Sequence, residues 1–223
     1  VIIGSLGALF FNNFLPIYCI PMSLIGFIDD KINLPSLFRY FIQIFTSFLI
    51  LINYTPNWLV DLNVNFMLKG LLYVFIVFSM TAIINFANFM DGLDGFLTST
   101  MLVIFLFISL QFLPSYYPLC GSLVGFIIWN WQPAKIFMGD VGSTFLGSIF
   151  AGALLEVNSV EVPINILLCA SPILIDPLIC VIRRFSIGQN IFLAHKLHLY
   201  QRLHQAGWSH SKVSLTYSIA IFI

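Results

Sequence analysis

The chain has 223 residues, of which 60% are hydrophobic, 16% aromatic and only 8% charged, with a mean hydropathy of +1.00. Soluble domains carry about 25% charged residues, so an ordinary globular protein is excluded. Nine Lys and Arg balance nine Asp and Glu, and this neutral total offers no basic surface to a nucleic-acid partner.

Apolar runs recur along the whole length, several near the ~20 residues that a membrane-spanning helix needs. They are continuous Phe, Ile and Leu rather than the alternation of a barrel strand, which predicts helices. The expected fold is an all-α, polytopic transmembrane helical bundle, a single integral-membrane domain over 1–223. In chain order the candidate spans are 1–11 (partial), 14–28, 38–53, 66–86, 96–113, 116–131, 144–156, 163–181 and 213–223 (partial), about nine in all. The first and last are expected to be cut by the ends of the chain. Loops are expected around 29–37, 54–65, 87–95, 132–143, 157–162 and 182–212. Cys19, Cys120, Cys169 and Cys180 lie in apolar runs without C-x-x-C spacing and read as packing residues.

Alternation of the spans orients the bundle. If loop 29–37 is cytoplasmic, the same side holds Lys31, Arg39, Lys135, Arg183, Arg184, Lys196, Arg202 and Lys212, leaving only Lys69 elsewhere. That is the positive-inside bias. Asp29, Asp30, Asp91, Asp94 and Asp140 fall on this face too, with Asp176 near it, whereas Asp61, Glu156 and Glu161 lie opposite. Carboxylates gathered at one face repel one another unless a cation neutralises them, which suggests a divalent metal.

Four polar stretches interrupt the runs. In GFIDDKINLPSLFRYFIQ, Asp29 and Asp30 end one span and Arg39 opens the next; the stretch reads as a solvated turn or as a metal, phosphate or proton-transfer site. In NFANFMDGLDGF, Asn85, Asn88, Asp91 and Asp94 recur every third residue, so on a helix the first three line one edge. Gly92 and Gly95 free the backbone to turn there. Loop caps are the plain reading, but two Asn at the depth of a span favour a functional one. In QPAKIFMGDVGSTFLG, Pro133 breaks a helix and Asp140 precedes Gly142, Ser143 and Thr144 at the start of the next. Such a turn presents backbone N–H groups to an anion such as phosphate, and Asp140 beside it suits Mg²⁺. The plain alternative is a capped helix with small packing residues. The loop RRFSIGQNIFLAHKLHLYQRLHQAGWSHSK carries His195, His198 and His204 with Lys196 and Arg202. An H-x-x-H zinc site lacks a further ligand at the usual spacing; anion binding or a basic stripe on lipid headgroups fits better.

In this order GFIDD, NFANFMDGLDG, FMGDVGSTFLG and HKLHLYQRL, spread over residues 26–203, resemble the polyprenyl-phosphate N-acetylhexosamine-1-phosphate transferase family (glycosyltransferase family 4). Its members begin the synthesis of peptidoglycan lipid, teichoic acid, enterobacterial common antigen and O-antigen. The resemblance implies transfer of HexNAc-1-phosphate from a UDP-sugar to polyprenyl (undecaprenyl) phosphate, with release of UMP and a requirement for Mg²⁺. It implies that Asp140 is the Mg²⁺ ligand and that Phe137 stacks on the uracil. By the same resemblance Asn85, Asn88, Asp91 and Asp94 line the nucleotide and metal site, and Asp29 and Asp30 deprotonate or position the lipid phosphate. His195, His198 and Arg202 fall in the loop that contacts the sugar diphosphate. The loop HKLHLYQRLHQAGWSH is more similar to the O-antigen and capsule branch than to the peptidoglycan branch. The implied setting is the bacterial inner membrane, with the site facing the cytoplasm. UDP-N-acetylhexosamine, polyprenyl phosphate, membrane lipids and a second copy of the chain in a homodimer are the implied partners.

Two rivals make different demands. An ion-coupled transporter needs polar residues near mid-membrane and open to both faces, whereas here they crowd one face. A CDP-alcohol phosphotransferase needs a compact D-G-x-x-A-R…G-x-x-x-D-x-x-x-D motif that the chain lacks.

Overall fold

The computed structural model describes residues 1–190 and 196–222. Every regular element among them is helical. In chain order these are α1 (Ile2–Ser5), a 3-10 turn (Leu6–Phe11), α2 (Leu15–Tyr18), α3 (Ile20–Ile32), α4 (Ser36–Asn53), α5 (Asn57–Val60) and α6 (Phe66–Phe89). They continue with α7 (Phe96–Gln111), a second 3-10 turn (Pro114–Tyr116), α8 (Tyr117–Asn130), α9 (Gly139–Ala153), α10 (Glu161–Cys169), α11 (Ser171–Ser186), α12 (Leu199–Gln205) and α13 (His210–Phe222).

Each expected span coincides with helix, but few of the helices are long enough to cross a bilayer alone. Among the described residues α4 and α6 meet the requirement of length and apolarity, and α10 with α11 meets it only as a pair bent by 76°. At ~1.5 Å per residue, the 24 residues of α6 reach about 36 Å, more than the ~30 Å hydrocarbon layer. The count of nine spans is therefore not met by nine long helices. The runs are shortened by their own residues. Asn12 takes a left-handed backbone (φ 57°) after the first 3-10 turn, Pro21 starts α3 afresh after Cys19, and Pro172 opens α11 after the bend at Ala170. Proline lacks the N–H a continuing helix requires, so such runs divide.

Helix α9 is the centre of the molecule, buried from Gly142 through Ala153. It packs chiefly on α3 and α6. The approach is close because the facing residues are small, as in helix pairs where backbone contact replaces hydrophobic burial. A Cβ on Gly147 would stand 2.9 Å from both Ala87 Cβ and Ile84 Cα of α6, and one on Gly26 would stand 2.5 Å from the Asp140 carbonyl. Around this centre, α4 and α6 turn Phe41, Phe45, Phe48, Leu71, Phe75 and Phe78 outward, an apolar outer face suited to lipid tails.

Candidate active site

The tip of α9 meets the ends of α3 and α6 and the first turns of α4, and the polar residues gather there. Asp29 and Asp30 occupy the last turns of α3, which closes with Asn33 in a left-handed cap. The Asp29 carboxylate accepts from the Leu34 N–H at 2.6 Å and from Arg39 Nη1 at 2.7 Å, fastening the α3–α4 turn. The same Arg39 nitrogen lies 3.4 Å from Asp140 Oδ2. Asp140 Oδ1 accepts from Asn88 Nδ2 at 2.8 Å, and Asn88 also donates to Ser143 Oγ at 3.0 Å. One turn back on α6, Asn85 and Gln43 form a reciprocal amide pair at 2.7 and 3.2 Å. Asp29, Arg39, Gln43, Asn85, Asn88 and Asp140 border one small cavity.

Asp30 points the other way and accepts from the N–H groups of Asp140 (3.0 Å) and Val141 (3.2 Å). These belong to the first turn of α9, whose N–H groups have no partner within the helix. The Gly-rich turn was expected to offer these groups to a phosphate; Asp30 occupies two of them instead. A carboxylate suits the positive end of the helix as well as a phosphate does.

The electrostatics follow from this crowding. Burial pushes Asp91, in the connector after α6, well above the usual carboxylate range, and the negative charges of Asp140 and Asp30 push it further. Asp140 is pushed up to about 6 by burial and by its hydrogen bond with Asp29. For Asp29 burial acts in the same direction, but the hydrogen bonds of Asp140 and Leu34 and the charge of Arg39 outweigh it and hold it low. One cation, Arg39, thus serves carboxylates from two helices.

The other expected residues are distributed around this knot. Asp94 is turned away from it: its Oδ2 accepts from Ala134 N–H at 3.1 Å, and its Oδ1 lies 3.3 Å from His210 Nδ1. Helix α6 ends at Phe89, which separates Asp94 from the helical edge that carries Asn85 and Asn88, and Gly95 then takes a left-handed backbone (φ 70°) against the Trp131 ring to begin α7. Phe137 is 71% exposed on a loop anchored by Asn130, which donates to the Ile136 carbonyl at 2.9 Å. His198 is buried and stacks on Phe89; burial lowers its pKa against the opposing pull of Asp176. Arg202 faces a separate, mainly apolar cavity of about 500 Å³ between α11, α12 and α13. His195 lies outside the described residues.

Three contributors carry no individual role in the sequence reading: Arg39 and Ser143, which it names without assigning one, and Gln43. Arg39 and Gln43 are four apart on α4 and so share a face, and that spacing was the available signal. Among the described residues, no three His, Cys, Asp or Glu side chains converge as a cage for a metal ion.

Residues 14–158 match the family model described as glycosyl transferase family 4. A probable undecaprenyl-phosphate N-acetylglucosaminyl 1-phosphate transferase of Bacillus subtilis (strain 168) is 31% identical over 89% of the chain and 60% of the relative. A phospho-N-acetylmuramoyl-pentapeptide-transferase of Clostridium beijerinckii is 31% identical over 70% of the chain and 51% of its own length. A decaprenyl-phosphate N-acetylglucosaminephosphotransferase of Mycobacterium tuberculosis (strain ATCC 25618 / H37Rv) is 31% identical over 86% and 56% respectively. The chain thus spans between half and three fifths of the length of these relatives. With the matched region covering more than half of its residues, the chain belongs to glycosyl transferase family 4.

Proposed function

We propose that this chain carries the catalytic centre of an integral-membrane transferase that moves HexNAc-1-phosphate from a UDP-sugar to polyprenyl phosphate. In this reaction an oxygen of the lipid phosphate forms a bond to the phosphorus next to the sugar. The bond from that phosphorus to the bridging oxygen breaks, and UMP leaves with the electron pair. The product is a lipid-linked pyrophosphoryl sugar that begins a cell-surface polysaccharide.

The observation that carries the reading is the knot of Asp29, Arg39, Asn88 and Asp140 at the tip of α9. Phosphoryl transfer asks a protein mainly for positioning and for neutralised charge. Arg39 is a fixed cation between two carboxylates, and Asn88 orients Asp140. Asp29 and Asp30 are assigned to positioning or deprotonating the lipid phosphate. By the family resemblance Asn85, Asn88 and Asp91 are assigned to the nucleotide side, with Phe137 on the uracil and His195 and His198 on the sugar diphosphate; Asp94 and Arg202, which face away from the knot, are not assigned to it.

The donor set fits Mg²⁺. This cation is commonly held by one or two carboxylates together with substrate phosphates rather than by an all-protein cage. Asp140 and Asp91 are oxygen donors that burial holds high, Asp140 further through its hydrogen bond with Asp29 and Asp91 further through the charges of Asp140 and Asp30, so a cation beside them would relieve both. Bound Mg²⁺ would neutralise the two phosphates that must approach each other. The crowding of basic residues at the same end supports a site facing the cytoplasm of a bacterial inner membrane. The loop around His198 supports the O-antigen and capsule branch.

The test uses the intact protein with polyprenyl phosphate, Mg²⁺ and a panel of UDP-sugars. Lipid-linked product is expected with at least one UDP-HexNAc, and Asp140→Asn or Asp91→Asn should abolish it while the protein still inserts. Full activity in either variant would overturn the site assignment.

A further inference from the structure

Asp176 is a carboxylate buried in α11, apart from the knot at the tip of α9. It accepts three hydrogen bonds: from the N–H of Leu199 at 2.7 Å, the N–H of Tyr200 at 3.1 Å and the hydroxyl of Tyr217 at 2.8 Å. The first two donors open α12, where a helix cannot satisfy its own N–H groups. Asp176 therefore caps α12 from another helix and fixes where Tyr200 stands.

Tyr200 is fully buried, with its ring stacked on Phe96 at 4.7 Å between centroids. Its hydroxyl donates at 2.7 Å to the carbonyl of Phe89, the last residue of α6. Asp91 follows two residues later. Gly92 leaves the room that the hydroxyl needs, because a Cβ there would lie 2.3 Å from the Tyr200 oxygen. Gln201 Nε2 donates to the same oxygen at 3.1 Å. Thus α12 bears directly on the connector that carries Asp91.

We propose that Tyr200, locked in place by Asp176, is a positioning residue that sets the end of α6 and the Asp91–Gly92 backbone, and so the place of the Asp91 carboxylate in the site. This rests on the transferase reading above and deepens it.

The contact can be tested by reciprocal suppression. UMP release is measured with the intact protein as Tyr200→Phe, as Gly92→Ala and as the double variant, and thermal unfolding is followed on the same proteins. Tyr200→Phe removes one hydrogen bond and keeps the ring, so kcat should fall about tenfold, with KM for the UDP-sugar within about twofold. In Gly92→Ala the new methyl collides with the hydroxyl; a displacement of an ångström near the chemistry corresponds to a loss of about a hundredfold. In the double variant the colliding oxygen is gone and the nearest ring atom, Cζ, which stands 3.2 Å away in Tyr200, remains. It should therefore be about tenfold more active than Gly92→Ala alone, and the two unfolding shifts should be non-additive. Losses that simply multiply, or a Tyr200→Phe effect confined to KM, would overturn the proposal. A wild-type protein that releases no UMP from any donor would instead sink the transferase reading. In that case the unfolding cycle still decides the contact, and additive shifts reject it.

Discussion

Asp140 and Asn88 meet across 52 residues of sequence at 2.8 Å, and that pair is the smallest unit of the site. The three-residue spacing of NFANFMD made Asn85 and Asn88 legible as neighbours on one edge. The same spacing included Asp91 and Asp94, but a period holds only while the helix continues, and α6 ends at Phe89. That Asp30 caps α9 was not legible, since its partners are backbone N–H groups 110 and 111 residues away.

Two predictions belong to single residues. Arg39→Gln leaves Asp29 and Asp140 facing each other without a cation, so activity should fall at least about a hundredfold, as when one transition-state contact is removed. Arg39→Lys, which keeps the charge but loses the planar fork, should retain an intermediate rate. For Asp91 the sign follows from its raised pKa. The folded state holds the proton more tightly than the unfolded chain. Its stabilisation is therefore full below the ordinary carboxylate pKa of about 3.9 and is lost as pH rises through the folded-state value. Asp91→Asn should then raise the melting temperature at neutral pH without divalent cation, by a few degrees on the usual scale. That gain should vanish as pH falls toward about 4. A gain that grows on acidification would contradict the assigned direction.

At the scale of elements, the places of the helices were legible because apolar runs of these lengths have few other folds open to them in lipid. Their breaks were not. The left-handed Asn12 and the bend before Pro172 are set by single residues, and the hydropathy of a run does not report them. The centrality of α9 was also hidden, although GDVGSTFLGSIFAGA carries its cause in the glycines, alanines and serines that let α3 and α6 approach. Gly26 shows how narrow the fit is. Gly26→Ala forces a methyl onto the Asp140 backbone, an overpacking that typically costs about 1–3 kcal/mol, and should lower both melting temperature and activity. Gly121→Ala and Gly125→Ala in α8 meet nothing within 4 Å and should leave activity unchanged. Equal effects at Gly26 and Gly125 would argue against close α3–α9 packing as the frame of the site.

At the scale of the molecule, the charges divide the bundle into two ends. Cysteines introduced at Lys135 and at Glu161 in the intact protein should react with impermeant thiol reagents from opposite faces of the membrane. Labelling of both from one face would undo the orientation. On the proposed reading, the carboxylates of the site lie at the end rich in Lys and Arg, where a water-soluble nucleotide and a membrane-bound phosphate would both arrive. A sugar-1-phosphate transferase differs from other enzymes that use UDP-sugars in which bond breaks, and the leaving group records it. The most direct measurement is the identity and amount of nucleotide released by the intact protein with its UDP-sugar, with and without polyprenyl phosphate. The prediction is UMP, one per lipid-linked product, and only when the lipid phosphate is present. Release of UDP, or of UMP without the lipid, would contradict it.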